Sequence, residues 1–239
     1  MKQLLILCAA LLLILSACGQ APAEPDPTTI PTTIEASQAP AQPEDVSFEA
    51  FYEEFVIAVR NQDMQFIDGI LDDGVMSSFG GEPTKAFFHE HWEIEETHNG
   101  RELWAVLEET IALGGVHYEA GEYFPDQHQG ECFVAPYILE EFRKTGLDAF
   151  EHLAVIEADV PVYEEESAAS KVTGTLDYGY VAFHSDFWGI GPEEFVSVTA
   201  LSGTAGYVQW KHLRSPIDYR LCFEKKDSGW KLLWLIAGD

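Results

Sequence analysis

The chain has 239 residues, 41 of them acidic and 13 basic, for a net charge of −28. Hydrophobic residues make up 46% and aromatics 13%, enough apolar surface for at least one packed core, which excludes a wholly disordered chain. The acid surplus repels phosphate backbones and anionic headgroups, so nucleic acid is excluded as a partner, and so is electrostatic adhesion to anionic lipid.

Met1 and Lys2 form a short positive end, followed by the apolar run Leu4 to Leu15 and then Ser16-Ala17-Cys18. A membrane-crossing helix needs about 20 apolar residues. This run is shorter, ends in small residues and passes straight into polar chain, which is the anatomy of a secretory signal. Leu15-Ser16-Ala17-Cys18 resembles the bacterial lipobox, which implies cleavage before Cys18 and lipidation of its thiol, palmitate included. Two or three acyl chains anchor durably where one does not. The plainer alternative is an ordinary signal peptide whose cysteine is incidental. Residues 1–17 are thus the expected signal. The expected location is the extracytoplasmic face of the cell membrane, reached through lipid on Cys18. Gly19 follows that cysteine; in a cell with two membranes, the resemblance to lipoprotein sorting rules, which read an Asp there, implies no inner-membrane retention.

Residues 18–45 read as a tether. They hold six prolines and no basic residue, a composition that buries too little to offset the entropy of ordering. Cys132 and Cys222 are then the cysteines left for the folded part. Outside the cytoplasm they can form one disulfide, or stay as buried thiols that act as small hydrophobes.

The spacing of Phe48, Phe51, Tyr52, Phe55 and Val59 predicts a first helix, with Ser47 as its cap. Met64, Ile67, Ile70 and Leu71 predict a short second helix, and Glu82 to Trp92 a third. Asn99 and Glu102 have capping-box spacing for a fourth, with Leu103, Val106, Leu107, Thr110 and Ile111 on one face and Gly114-Gly115 at its end. Beyond it, Val116 to Phe124 and Cys132 to Ile138 look extended. The C-terminal end predicts a hairpin: Ile217, Tyr219, Leu221 and Phe223 alternate, Asp227-Ser228-Gly229 turns, and Trp230, Leu232, Trp234 and Ile236 alternate back.

Between these, residues 151–214 carry a series of short strands: Val160 to Tyr163, Lys171 to Leu176, Phe195 to Val198 and Gly206 to Val208. With Leu176-Asp177-Tyr178-Gly179 and Gly203-Thr204-Ala205-Gly206-Tyr207-Val208, this series resembles the bacterial SH3-like (SH3b) domain. It departs from that pattern where Val160-Pro161-Val162-Tyr163 lacks Asn and Arg, and where Phe195 stands for Trp. A longer run is similar to a set of bacterial lipoproteins described as SH3 domain-containing. That run goes from Gly80-Gly81 through Leu113-Gly114-Gly115 and Ala135-Pro136-Tyr137 to Arg214-Ser215-Pro216-Ile217-Asp218-Tyr219-Arg220 and Ile236-Ala237-Gly238-Asp239. The resemblance brings no activity with it. The implied fold class is α+β: a helical, cone-like domain similar to nuclear transport factor 2, made of residues 46–150 plus 215–239, with a small all-β SH3-like barrel inserted at 151–214. A serial order, helical then all-β, is the alternative.

No chemistry stands out from these elements. His89, His91 and His98 lie among Glu90, Glu93, Glu95 and Glu96, but on a helix positions i and i+2 point about 200° apart and cannot face one metal. No H-E-x-x-H occurs. His128 and Cys132 suggest a thiol–imidazole pair, yet the cysteine falls in a strand and the histidine precedes it, unlike cell-wall cysteine peptidases. Serine elbows, Walker loops and dinucleotide glycine fingerprints are absent from the sequence. The expectation is therefore no catalytic residue, no metal site and no cofactor. Tyr178, Tyr180, Trp188 and Tyr207 are the aromatics expected to line an SH3b-type groove. The resulting expectation is a non-catalytic, membrane-anchored lipoprotein whose partner is cell-wall peptide or an envelope protein. The alternative is a small-molecule pocket protein or cryptic hydrolase using a cavity in the cone-like domain. Residues 18–166 hold 33 acidic and 5 basic side chains and residues 167–239 hold 8 and 7, so a ligand groove for an anionic partner belongs in the second stretch.

Overall fold

The computed structural model describes residues 46–77, 80–94, 101–124, 126–184 and 191–238. The expected signal, tether and Cys18 lie outside the described residues, as do His98 and Trp188.

The helical periodicity of the first stretch gives α1, Val46–Asn61. Phe48, Tyr52, Phe55 and Val59 share one face and are all buried. Asp63 then caps α2, Met64–Ile70, by accepting the Phe66 N–H at 3.1 Å. The helix runs directly into β1, Leu71–Met76. The sequence reading gave Leu71 to the helix; in the structure it opens a strand that lies parallel to the last strand of the chain, beside Leu232. Thr84 caps α3, Lys85–His91, and α4 spans Arg101–Ala112.

Four further strands complete the first sheet: β2, Val116–Tyr118; β3, Cys132–Ala135; β11, Arg220–Lys226; and β12, Gly229–Ile236. Its order is β1-β12-β11-β3-β2. One face packs on α1 to α4 through Phe48, Phe55, Leu103, Phe133, Phe223 and Leu232. Phe48 lies at the centre of this layer, its ring 4.5 Å from Phe133 and 4.6 Å from Trp230. The C-terminal hairpin forms as expected, with one change of phase. An irregularity in the β11–β12 pairing follows Cys222, so Trp230, Leu232 and Leu235 face the helices while Trp234 and Ile236 pack on the opposite face with Cys132, Val134 and Cys222. One extra residue in a strand reverses which side later residues point to.

After α5, Ile138–Phe142, residues 152–214 form a second sheet. Its strands are β4, His152–Val155; β5, Val160–Tyr163; β6, Val172–Leu176; β7, Gly179–Phe183; β8, Phe195–Ala200; β9, Ala205–Gln209; and β10, Leu213–Arg214. A 3-10 turn, Trp210–His212, joins the last two. The order is β10-β4-β7-β8-β9-β5-β6. Its core is aliphatic, built from Leu153, Val155, Val162, Val181, Val196 and Val208.

These sheets correct the expected fold class. The chain is mostly β, with twelve strands in two sheets against few helices, and no cone of the nuclear transport factor 2 type is formed among the described residues. The strands expected for the SH3-like barrel do occur as β5, β6, β8 and β9. They are joined by β4, β7 and β10 in a linear series of seven with β10 and β6 at its ends. The sequence reading missed these three because β10 has two residues, and β4 and β7 interrupt no recognisable motif. Gly179 and Tyr180, assigned to the end of an apolar strand and to a groove, open β7 and pair with Val155 and Ala154.

Candidate functional site

Of the four aromatics expected to form a groove, the structure brings two together. Tyr178, 37% exposed, and Tyr180 line a small cleft of about 200 Å3 with Leu201 and Ser202. That is below the roughly 300–1,000 Å3 of ordinary ligand pockets. Tyr180 is buried edge-on against Phe142 at 5.1 Å, and burial pushes its phenol well above the usual range. Tyr207 is elsewhere, half-buried in β9 opposite Tyr163 and Ser197. On α3 the two histidines diverge: His89 Nε2 is 2.7 Å from Asp68 Oδ1, whereas His91 stacks on Phe87 and meets Trp92 edge-on.

A larger pocket lies where α4 meets β10 and the 3-10 turn. It measures about 460 Å3 and is walled by Leu113, Ile156, Trp210 and Leu213, with Lys211 and Arg214 at its polar side. Each cation has a defined hold. Arg214 is buried, donating through Nη2 to the Tyr219 carbonyl at 3.0 Å and lying 3.4 Å from both Glu109 and Asp218 carboxylates. Lys211 pairs with Glu193 at 3.0 Å, an interaction that holds the Glu193 carboxyl below the usual carboxylate range. Glu109 is 68% exposed and Asp218 33%, so the carboxylates that face the buried Arg214 are themselves open to solvent in part. An apolar wall with a few convergent polar groups is the usual composition of a ligand site. The sequence reading seeks a groove in residues 167–239 and does not single out these residues, of which Glu109, Leu113 and Ile156 lie outside that stretch. The legible signal was Trp210-Lys211-His212-Leu213-Arg214, a rare concentration of positive groups in an acidic chain.

A second cluster is buried behind the first sheet. Cys132 and Glu224 are opposite partners in the β3–β11 ladder, so both project to the face away from α1. Across them folds the loop that carries Tyr123 and His128. Glu224 holds that loop: its Oε1 accepts the backbone N–H groups of Gln129 and Gly130, each at 2.9 Å. The approach is close enough that a Cβ on residue 130 would fall 2.2 Å from the Lys225 carbonyl oxygen, so only glycine fits. His128 stacks on Tyr123 at 5.3 Å, and its Nδ1 is 3.5 Å from Glu224 Oε2. The Lys226 ammonium also contacts Oε2. Burial alone would push the Glu224 carboxyl up, but Lys226 and the two N–H groups together outweigh it and hold the carboxyl below its usual range.

Cys132 and Cys222 are both free, buried thiols in the structure. In this state the pair packs as small hydrophobes with Val134 and Trp234. Burial, and then the adjoining Cys132, push the Cys222 thiol well above its usual range. Full burial of Cys132 keeps a substrate from its sulfur, which removes the nucleophile from a thiol–imidazole reading of His128 and Cys132. The alternative of a pocket protein or hydrolase built on a cone-like domain loses its premise with that fold. The layer where its cavity was expected is filled by Phe48, Phe55, Phe88, Phe133 and Phe223, none more than 2% exposed.

No protein-family model, curated protein or solved structure matches the chain.

Proposed function

We propose that the chain is a membrane-anchored extracytoplasmic lipoprotein that binds, without catalysis, a short carboxylate-bearing peptide of the cell-wall type. Anchoring rests on Leu15-Ser16-Ala17-Cys18 after an apolar run, followed by a proline-rich spacer. No helix among the described residues is long and apolar enough to cross a membrane. The observation that carries the binding role is the pocket of about 460 Å3 that sets Trp210 and Ile156 beside Lys211 and Arg214. Small apolar side chains of a peptide suit the wall and a terminal carboxylate suits the cations. Glu193, Glu109 and Asp218 already face these two cations, so on this reading a peptide carboxylate binds by displacing one of them, the exposed Glu109 and Glu193 first.

Two experiments test the two halves. Membrane fractionation with acyl-chain labelling should find the protein lipidated and sedimenting with membranes, and Cys18→Ala should release it unlabelled; an unlabelled wild type overturns the anchor. Purified wall should retain the full chain and lose it on Lys211→Glu. No retention of a folded wild-type protein overturns the wall-peptide role.

A further inference from the structure

The buried cluster behind the first sheet has the composition and position of a metal site. A ring nitrogen of His128, the Cys132 Sγ and a Glu224 carboxylate oxygen all lie within 4.8 Å of one another. All three residues are at least nine-tenths buried. Buried polar atoms are nearly always hydrogen-bonded, yet His128 Nδ1 has no hydrogen-bond partner. We propose that His128, Cys132 and Glu224 form a binding site for a divalent transition-metal ion of the zinc class, held between the β3–β11 ladder and the loop above it.

The arrangement suits the ion in three respects. One imidazole, one thiolate and one carboxylate make a mixed N, S and O set, and zinc takes all three donor types. Tetrahedral ligands at zinc bond lengths stand about 3.3–3.8 Å apart, so closure from the observed separation asks each donor to shift by roughly 1 Å or less. Glu224 is oriented in advance, because Oε1 is fixed by the Gln129 and Gly130 N–H groups while Oε2 faces His128 Nδ1. Outer hydrogen bonds of this kind hold a ligand in its binding pose.

Charge and access are also provided. Lys226 places an ammonium on Oε2, so the carboxylate is already matched to a positive partner. The Lys226 side chain is 40% exposed and can withdraw to solvent as the ion takes its place. An open cleft of about 500 Å3, walled by Gln129, Gly130, Lys226 and Ser228, leads to Glu224 from the surface. Binding releases the thiol proton of Cys132 and leaves a fourth position on the metal for water or an added ligand.

The test uses the reduced full chain in detergent, with cobalt(II) as the spectroscopic probe and zinc as competitor. One equivalent of cobalt should give a thiolate-to-cobalt charge-transfer band that zinc abolishes. Cys132→Ser should remove the band, and His128→Ala and Glu224→Gln should each weaken binding at least tenfold. Cys222→Ser should retain it, and Lys226→Met should tighten it several-fold by removing the competing ammonium. No band in the folded wild type overturns the proposal, as does a band that survives Cys132→Ser. Weaker binding in Lys226→Met counts against it as well. The wild-type spectrum and the exposed Lys226 position keep the test decisive should a core variant fail to fold.

Discussion

The two sheets are built from different materials, and the difference separates their roles. The first sheet is covered on one face by aromatic rings drawn from segments far apart in sequence, Phe48, Phe133 and Trp230 among them. Its other face holds ionisable groups under a loop, with Glu224 at 2% exposure. The second sheet closes on an aliphatic core of valines and leucines, and its buried cation Arg214 sits in the end strand β10. Large interlocking rings fix distant strands in register and so can hold buried charge in place. A valine core gives a stable shelf, and the chemistry there stays at its margin, where Lys211 and Arg214 meet Trp210.

The largest effects should come from truncating either core. Phe48→Ala removes a fully buried ring and should lower stability by about 3–5 kcal/mol, and Leu153→Ala by about 2–5 kcal/mol. Both sheets fall within one compact unit. Calorimetry should therefore show a single transition that either variant shifts, and two transitions with only one displaced would divide the sheets.

Next in size is Glu224. Glu224→Gln should lower stability near pH 7 by about 1–3 kcal/mol, because one charged acceptor serves two backbone N–H groups. The native carboxyl is held below the ordinary value of 4.5. Its contribution is thus present above that pH and lost as the pH falls through the lower folded value. Urea titrations below pH 4.5 should show a flatter acid slope for the variant than for the wild type; equal slopes would mean the loop is not held this way.

A third effect lies in alkali. Burial pushes the Tyr52 phenol up to about 12, and the Tyr123 and Tyr180 phenols are raised further, again chiefly by burial. Raised folded values mean stability is lost as the pH climbs above the unfolded value of 10.0. Absorbance should show these tyrosines ionising together with unfolding, and free titration near 10 would contradict their burial. The smallest effect belongs to the exposed rim of the second sheet: Lys211→Glu should change stability by no more than about 0.5 kcal/mol.

Much of the local structure was legible in the sequence. The period of Phe48, Tyr52, Phe55 and Val59 specifies α1, and the alternation around Asp227-Ser228-Gly229 specifies the closing hairpin. The fold class was not, for physical reasons. β1 carries Asp72-Asp73-Gly74, residue types that strands disfavour; it is a strand because β12, about 160 positions later, pairs with it. β7 and β10 are likewise set by their partners rather than by local propensity. The candidate pocket was not legible, since its lining comes from α4, from Ile156 just after β4 and from Trp210 just before β10, brought together by the pairing of those two strands. The buried cluster was half visible: His128 and Cys132 stood four residues apart, but Glu224 joins them only through strand pairing.

The central claim is that the pocket beside Trp210 receives a carboxylate-bearing wall peptide. Calorimetric titration of the full chain in detergent with soluble wall stem peptides tests it most directly. Binding should be saturable, and Trp210→Ala and Lys211→Glu should each weaken it at least tenfold while the melting transition of Lys211→Glu stays in place. Absence of binding by the folded wild type, or binding that both variants leave unchanged, would contradict it.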